Sequence, residues 1–183
     1  MSSAGDRNIP GDDVIASPSM LYNQMITVDA DAETVFPWLL QLGKSRGGWY
    51  GPAWLERFLP RGWRATRQVQ TQWQHLNVGD RVPDYGFSDD FFIVESIEAP
   101  NFLVYRSERY GCQFTWALLL RENATGDNAN DVQTIVHLRF RGRIQSEGWK
   151  RAVIVWAGEK MDRLTTRPML LGLKERVERP HAE

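Results

Sequence analysis

Cysteine is almost missing from this chain: Cys112 stands alone among 183 residues. A single thiol excludes an intrachain disulfide and any cysteine-rich metal site. It falls within a predicted strand, where a buried and unreactive thiol is the expected state. Long apolar runs are missing as well. The longest, Trp116 to Leu120, is far short of the ~20 residues that cross a bilayer core, so no membrane span is predicted. Excess charge of either sign is absent. A formal net charge of −1 removes any whole-molecule reason to expect nucleic acid or an acidic surface as partner.

Histidine is scarce too. His75, His137 and His181 fall in a loop, on an outer strand face and in the tail. None lies in a nucleophile motif, and His75 with Asp80 does not make a metal site, so neither a triad nor a metal centre is predicted. Gly43-Lys44-Ser45 lacks the upstream glycine of a phosphate loop. Gly5, Asp6, Pro10, Gly11, Asp12 and Asp13 occupy the region where a secretion signal would be basic and then apolar, so the cytoplasm is the expected location.

What the chain has in quantity is aromatic surface. Eight Trp, eight Phe and five Tyr exceed what a small core needs. Large rings fill cores and also line pockets for flat or greasy ligands.

The length fits one domain with a sizeable core. Residues 1–18, rich in Gly, Ser, Asp and Pro, read as a flexible lead-in; 19–179 read as the domain and 180–183 as a tail. A strand over Leu21–Val28 is followed by a helix over Ala32–Leu42. Asp31 is its N-cap, Pro37 falls early enough to be tolerated, and Gly43 ends it. A loop from Lys44 to Pro52 leads to a short helix over Ala53–Leu59. Pro60 to Asn77 is polar loop, with Arg57, Arg61, Arg64 and Arg67 around Trp63.

Strand periodicity then takes over at Asp80–Pro83, Asp90–Ile97, Phe102–Ser107, Cys112–Arg121 and Val132–Arg143. Short turns between these strands predict an antiparallel meander. Phe114, Trp116, Leu118 and Leu120 alternate onto one face, as do Val136, Leu138 and Phe140. His137, Arg139 and Arg141 take the other face.

Lys150 to Arg179 reads as one long helix. Its apolar stripe is Val153, Trp156, Ala157, Met161, Leu164, Leu170, Leu173 and Val177, with Lys174, Glu175 and Arg176 among the charges opposite. Pro168 is expected to kink or divide it, at a cost of roughly 3 kcal/mol in a regular interior. The fold class is therefore α+β: a curved antiparallel sheet wrapped around a long C-terminal helix, with two short helices after the first strand.

Several local phrases carry a resemblance. They are Pro37 to Gly43 (PWLLQLG), Arg46 to Tyr50 (RGGWY), Trp54-Leu55-Glu56 and Trp73 to Asp80 (WQHLNVGD). Thr115-Trp116 through Leu120, Thr134 through Arg141, and Met169 to Arg176 (MLLGLKER) follow in order. Over about Met20 to Glu178 the chain resembles the START-like, Bet v 1-like superfamily, in particular its bacterial polyketide cyclase/dehydrase-like (SRPBCC) branch. That resemblance implies a helix-grip fold with a deep cavity between sheet and terminal helix. Relatives use such a cavity for sterols, lipids, plant hormones or polyketides, and a minority do chemistry there. It supplies no catalytic residue, and no cofactor is expected.

The first expectation is thus a binding protein for a hydrophobic small molecule. Phe92, Phe114, Trp116, Leu118, Leu138, Phe140, Trp156 and Met161 are the candidate walls, with Tyr50 and Trp54 at the mouth. Arg46, Glu56, Tyr105 and Arg139 are the candidate polar groups. The Arg46–Tyr50 segment stands out because two glycines let the backbone turn tightly beside Trp49 and Tyr50. A structural reading competes there, in which Arg46, Tyr50 and Glu56 form a clasp joining the small helices to the sheet. Two alternatives remain open. One is a cyclase or dehydratase using Tyr50, Glu56, Tyr105 or Arg139 for proton transfer. The other is an interaction module docking an acidic partner through the Arg57–Arg67 loop.

Overall fold

The computed structural model describes residues 9–85, 89–109, 111–124, 132–144 and 165–178. Six strands form one antiparallel sheet: β1 (Met20–Val28), β2 (Arg81–Pro83), β3 (Phe91–Glu98), β4 (Phe102–Arg109), β5 (Cys112–Ala124) and β6 (Val132–Ile144). Their order is β1-β6-β5-β4-β3-β2, so the meander from β2 to β6 ends beside β1. Between β1 and β2 lie helices α1 (Ala32–Leu40) and α2 (Ala53–Glu56), then 3₁₀ turns at Arg61–Trp63 and Thr71–Trp73. Helix α3 covers 165–178. This is an α+β helix-grip fold, with the curved sheet and terminal helix that the alternation and order of elements predict.

Register explains why the sheet has one apolar face. β5 and β6 pair without a break over 13 residues each, setting Trp116 opposite Phe140 and Leu118 opposite Leu138. β1 adds Tyr22 opposite Phe140 and Gln24 opposite Leu138, while β4 adds Tyr105 opposite Trp116. Side chains alternate along each strand, so these residues share the inner face. A register shift between Val94 and Ser96 in β3 is a bulge, which bends a strand and increases its twist.

α1 begins where the sequence predicts. The Asp31 carboxylate accepts from the Thr34 N–H at 2.7 Å, and that bonding holds it below the usual carboxylate range. Glu122 of β5 accepts from the Ala32 N–H at 2.8 Å, fastening the helix start to the sheet. The helix stops at Leu40 rather than Leu42. Gly43 is therefore not its cap: at φ +122° it bridges to Gly48, and a Cβ there would collide with Val82 of β2. α2 is likewise shorter than predicted, four residues instead of seven, since the chain tightens beyond Glu56.

The outer face holds the main departure from expectation. Residues 9–18 read as part of a flexible lead-in, yet Gly11 lies against Val104 of β4, and Asp12, Ile15 and Ala16 meet arginines of β6. Asp12 accepts from Arg139 Nε and Nη2 at 2.8 and 2.9 Å and pairs with Arg141 at 3.0 Å. Arg141 also donates to the carbonyls of Ile15 and Ala16, and Ile15 is buried. Two arginines on a nominally solvated face are thus buried. Composition hid this, because the contacts depend on where the segment lands and not on its own hydrophobicity.

Only 165–178 of the long terminal helix lies within the described residues, so Trp156 and Met161 fall outside them. The expected break at Pro168 does not divide 165–178, which is continuous helix. Met169, Leu170 and Leu173 join the core formed by the sheet's inner face. Polar contacts seat the same helix on β1: Gln24 donates to Thr166 Oγ1 and Lys174 to the Thr27 carbonyl, both at 2.6 Å. Among the described residues no helix is long and apolar enough to cross a membrane.

Candidate functional site

The inner face carries a continuous run of rings. Tyr105 lies 5.6 Å from Phe92, and Phe92 lies within 5.2–5.8 Å of Trp116, Trp49 and Phe114. Phe114 stacks on Phe140 at 5.8 Å and Phe140 on Tyr22 at 4.7 Å. Offset and edge-on geometries of this kind are the favourable ones for aromatic pairs. Arg109 closes one end, its guanidinium 5.0 Å from Phe92 and 4.9 Å from Phe114 while paired to Asp84 at 2.7 Å.

Three of these rings, Trp49, Phe114 and Trp116, are only half-buried although they sit on the concave side. Polar atoms are embedded among them. Among the described residues, the buried atoms Tyr22 Oη, Arg46 Nε, Trp49 Nε1 and Tyr105 Oη have no hydrogen-bond partner. Buried polar groups are paired in the great majority of cases, so four such atoms on one side of the sheet call for an explanation. Tyr105 is completely buried and desolvation drives its pKa well above that of a free phenol, which keeps it a neutral hydroxyl.

Beside this wall sits a buried ionic cluster. Glu56 is 4% exposed and receives Arg176 at 2.6 Å, Arg67 at 3.0 Å and the Gly51 N–H at 3.0 Å. Arg176 donates further to the carbonyls of Gly51, Thr66 and Gly172, and its guanidinium lies 4.7 Å over the Tyr50 ring. Desolvation lowers the Arg176 pKa, and Glu56 opposes that shift. The cluster ties α3 to α2 and to the loop that carries Trp49.

The structure redistributes the predicted site residues. Phe92, Phe114, Trp116, Leu118, Leu138 and Phe140 share the inner face. Tyr50 is not at a mouth: it is 2% exposed, donating from its hydroxyl to the Trp38 carbonyl at 2.7 Å. Trp54 is 64% exposed on the surface of α2, away from the wall. Arg46 does not meet Glu56. It donates to the Leu40 and Trp73 carbonyls and lies over the Trp73 ring at 4.8 Å.

The clasp therefore exists, but Arg176 and Arg67 replace Arg46 in it. Arg176 was assigned to the charged face of its helix. Its spacing from Met169 and Leu173, seven and three residues, puts it on the inward stripe, and that spacing was the available signal. Tyr22 joins the wall as well, and sharing a strand face with Met20 and Gln24 in β1 is its only signal in the sequence.

Catalytic chemistry gains little. Of the four groups offered for proton transfer, Glu56, Arg139 and Tyr50 are buried and engaged, with Arg139 on the outer face, and Tyr105 is buried. Cys112 is half-buried with its pKa raised by desolvation, and His137 meets Asn23 at 2.8 Å on the outer face. Among the described residues no three His, Cys, Asp or Glu side chains converge to hold a metal ion. In the basic loop, Arg64 turns back to the Arg57 and Leu59 carbonyls and Arg67 to Glu56.

No family model matches the chain, and no curated protein matches it. Solved structures do. Protein MLL2253 from Mesorhizobium loti is 12% identical with a TM-score of 0.55, covering 88% of this chain and 99% of that one. A START superfamily protein from Mycobacterium smegmatis is 13% identical with a TM-score of 0.46, covering 86% and 98%. DynU16, a putative protein of the dynemicin biosynthetic locus, is 19% identical with a TM-score of 0.42, covering 84% of this chain and 46% of that one. At these identities the likeness is one of fold. The chain shares its overall fold with protein MLL2253.

Proposed function

We propose that the protein binds a hydrophobic small molecule, of lipid or polyketide type, between the concave face of its sheet and the terminal helix. The observation that carries this reading is the half-buried aromatic wall of Trp49, Phe114 and Trp116 on the concave side of the sheet. A mainly apolar lining with a few fixed polar groups is the usual composition of a small-molecule site. Burial of apolar ligand surface, roughly 25 cal/mol per Å², supplies most of the affinity, and the polar atoms fix orientation.

Native mass spectrometry of the protein purified from its own host, followed by denaturation and identification of released compounds, tests the reading. A retained apolar compound is expected. Trp116→Ala is expected to weaken binding of that compound by more than about ten-fold, a loss of ~1.4 kcal/mol, while the protein stays folded because this ring is only half-buried. Unchanged affinity in a folded variant would remove Trp116 from the wall.

A further inference from the structure

Charge is segregated along this chain although its total is close to zero. Between Thr34 and Gly79 the basic residues are Lys44, Arg46, Arg57, Arg61, Arg64 and Arg67, against the one acidic residue Glu56. Glu56 is buried and already paired with Arg176 and Arg67. Arg57, Arg61, Arg64 and Arg67 are all exposed. Arg64 donates from Nε and Nη2 to the neutral carbonyls of Leu59 and Arg57, which leaves its charge uncancelled and staples the turn that follows α2.

The same turn carries large rings into solvent. Trp54, Phe58 and Trp63 are all largely exposed, Phe58 at 74%. Trp54 and Phe58 are four residues apart, the spacing that sets two side chains on one face of a helical turn. Trp63 stacks on the exposed Tyr85 at 5.9 Å, with Lys44 over the far ring. Single exposed apolar residues are ordinary on a protein surface, but three large rings interleaved with arginines in one stretch mark an interaction site.

We propose that this surface docks on a membrane carrying anionic phospholipid. The arginines meet headgroup phosphates, and the rings of Trp54, Phe58 and Trp63 enter the boundary between headgroups and acyl chains. Guanidinium groups match phosphate oxygens, and Trp and Phe are stabilised at that depth. Arg57, Arg64 and Arg67 line one open cleft with Ala53, Ala65 and Glu56, so a phosphate there faces three guanidinium groups. An acidic protein surface answers the arginines and leaves the rings in water. A nucleic acid would draw on long-range attraction that a chain of net charge −1 does not supply. The docking surface goes beyond the binding function proposed above and does not depend on it.

Vesicle flotation of the full chain tests this. The protein is expected to float with vesicles of phosphatidylcholine and phosphatidylglycerol in equal parts. It is expected to bind phosphatidylcholine alone at least about ten-fold more weakly, because each basic side chain near an anionic surface adds to the attraction. Phe58→Ser with Trp63→Ser is expected to weaken binding to the mixed vesicles at least about ten-fold, and Arg57→Gln with Arg61→Gln by a similar factor. All four side chains are exposed, so the Tm holds in both double variants; should one fail to fold, Phe58→Ser or Arg61→Gln alone reads the same effect at smaller size. A folded protein that stays off the mixed vesicles overturns the proposal, as does equal binding to the two vesicle types. Binding to the mixed vesicles that the ring variant leaves unchanged also overturns it; poly-glutamate bound as well as the vesicles then marks an acidic protein as the partner.

Discussion

Arg176→Ala is expected to cost the protein about 3–5 kcal/mol, the loss typical of removing one partner from a buried ion pair. At roughly 2–4 °C per kcal/mol for a domain of this size, the Tm falls by about 6–20 °C. The reason is what remains behind. Glu56, 4% exposed, would keep only Arg67 and the Gly51 N–H as partners. The carbonyls of Gly51, Ala65 and Thr66 would each lose a donor. Arg67→Ala, at the other oxygen of the same carboxylate, removes a side chain that is 44% exposed and is expected to cost under about 1 kcal/mol.

The contrast separates the two roles of the cluster: Arg176 holds α3 against the Gly51 loop, and Arg67 trims the surface. Arg176→Met combined with Glu56→Met is expected to recover part of the loss, since no charge is then stranded. A urea denaturation series reads all of these. A loss below 1 kcal/mol for Arg176→Ala would refute the clasp.

Gly172→Ala is the second substitution with a large expected effect, and here two principles oppose each other. Alanine is favoured over glycine in a helix interior by about 1 kcal/mol. Sterics decide otherwise. A Cβ at Gly172 would stand 2.6 Å from the carbonyl carbon and oxygen of Gly51 and 2.8 Å from its nitrogen. Those are backbone atoms, so no side chain can rotate out of the way and the helix must move off the loop. That movement also stretches the bonds from Arg176 to the Gly51 and Thr66 carbonyls, 2.9 and 2.8 Å long.

A net loss of at least ~2 kcal/mol is expected, since overpacking typically costs about 1–3 kcal/mol before any bond is lost. Gly51→Ala makes a milder control. Its Cβ would meet Glu56 Cγ at 3.2 Å, a side-chain atom that can give slightly. Stabilisation by Gly172→Ala, measured by the same denaturation, would show that α3 does not pack this closely on the loop.

The two substitutions bear on function because the Gly51 loop carries Trp49. Loosening α3 from Gly51 frees Trp49 from its contacts with Phe92 and Trp116, both at 5.6 Å. Ligand affinity is therefore expected to fall with stability in both variants.

The elements were legible in the sequence because their signals are local. Alternation alone put Phe114, Trp116, Leu118 and Leu138 on the face that proves to be internal, and the Asp31 cap fixed the start of α1. The order of elements, with the phrases from Pro37 to Arg176, was enough for the helix-grip fold. What only the tertiary structure decided are meetings between residues far apart in the chain. Asp12 clamps Arg139 and Arg141 across the outer face, Glu56 takes Arg176 in place of Arg46, and Tyr50 turns into the core while Trp54 turns out. Trp49 and Tyr105 both reach the Phe92 ring in the same way, from one loop and one strand more than fifty residues apart in the chain. Periodicity records which way a side chain leaves its own backbone. Which partner it meets there depends on how a curved sheet and a helix close on each other, and no short stretch of the chain encodes that distance.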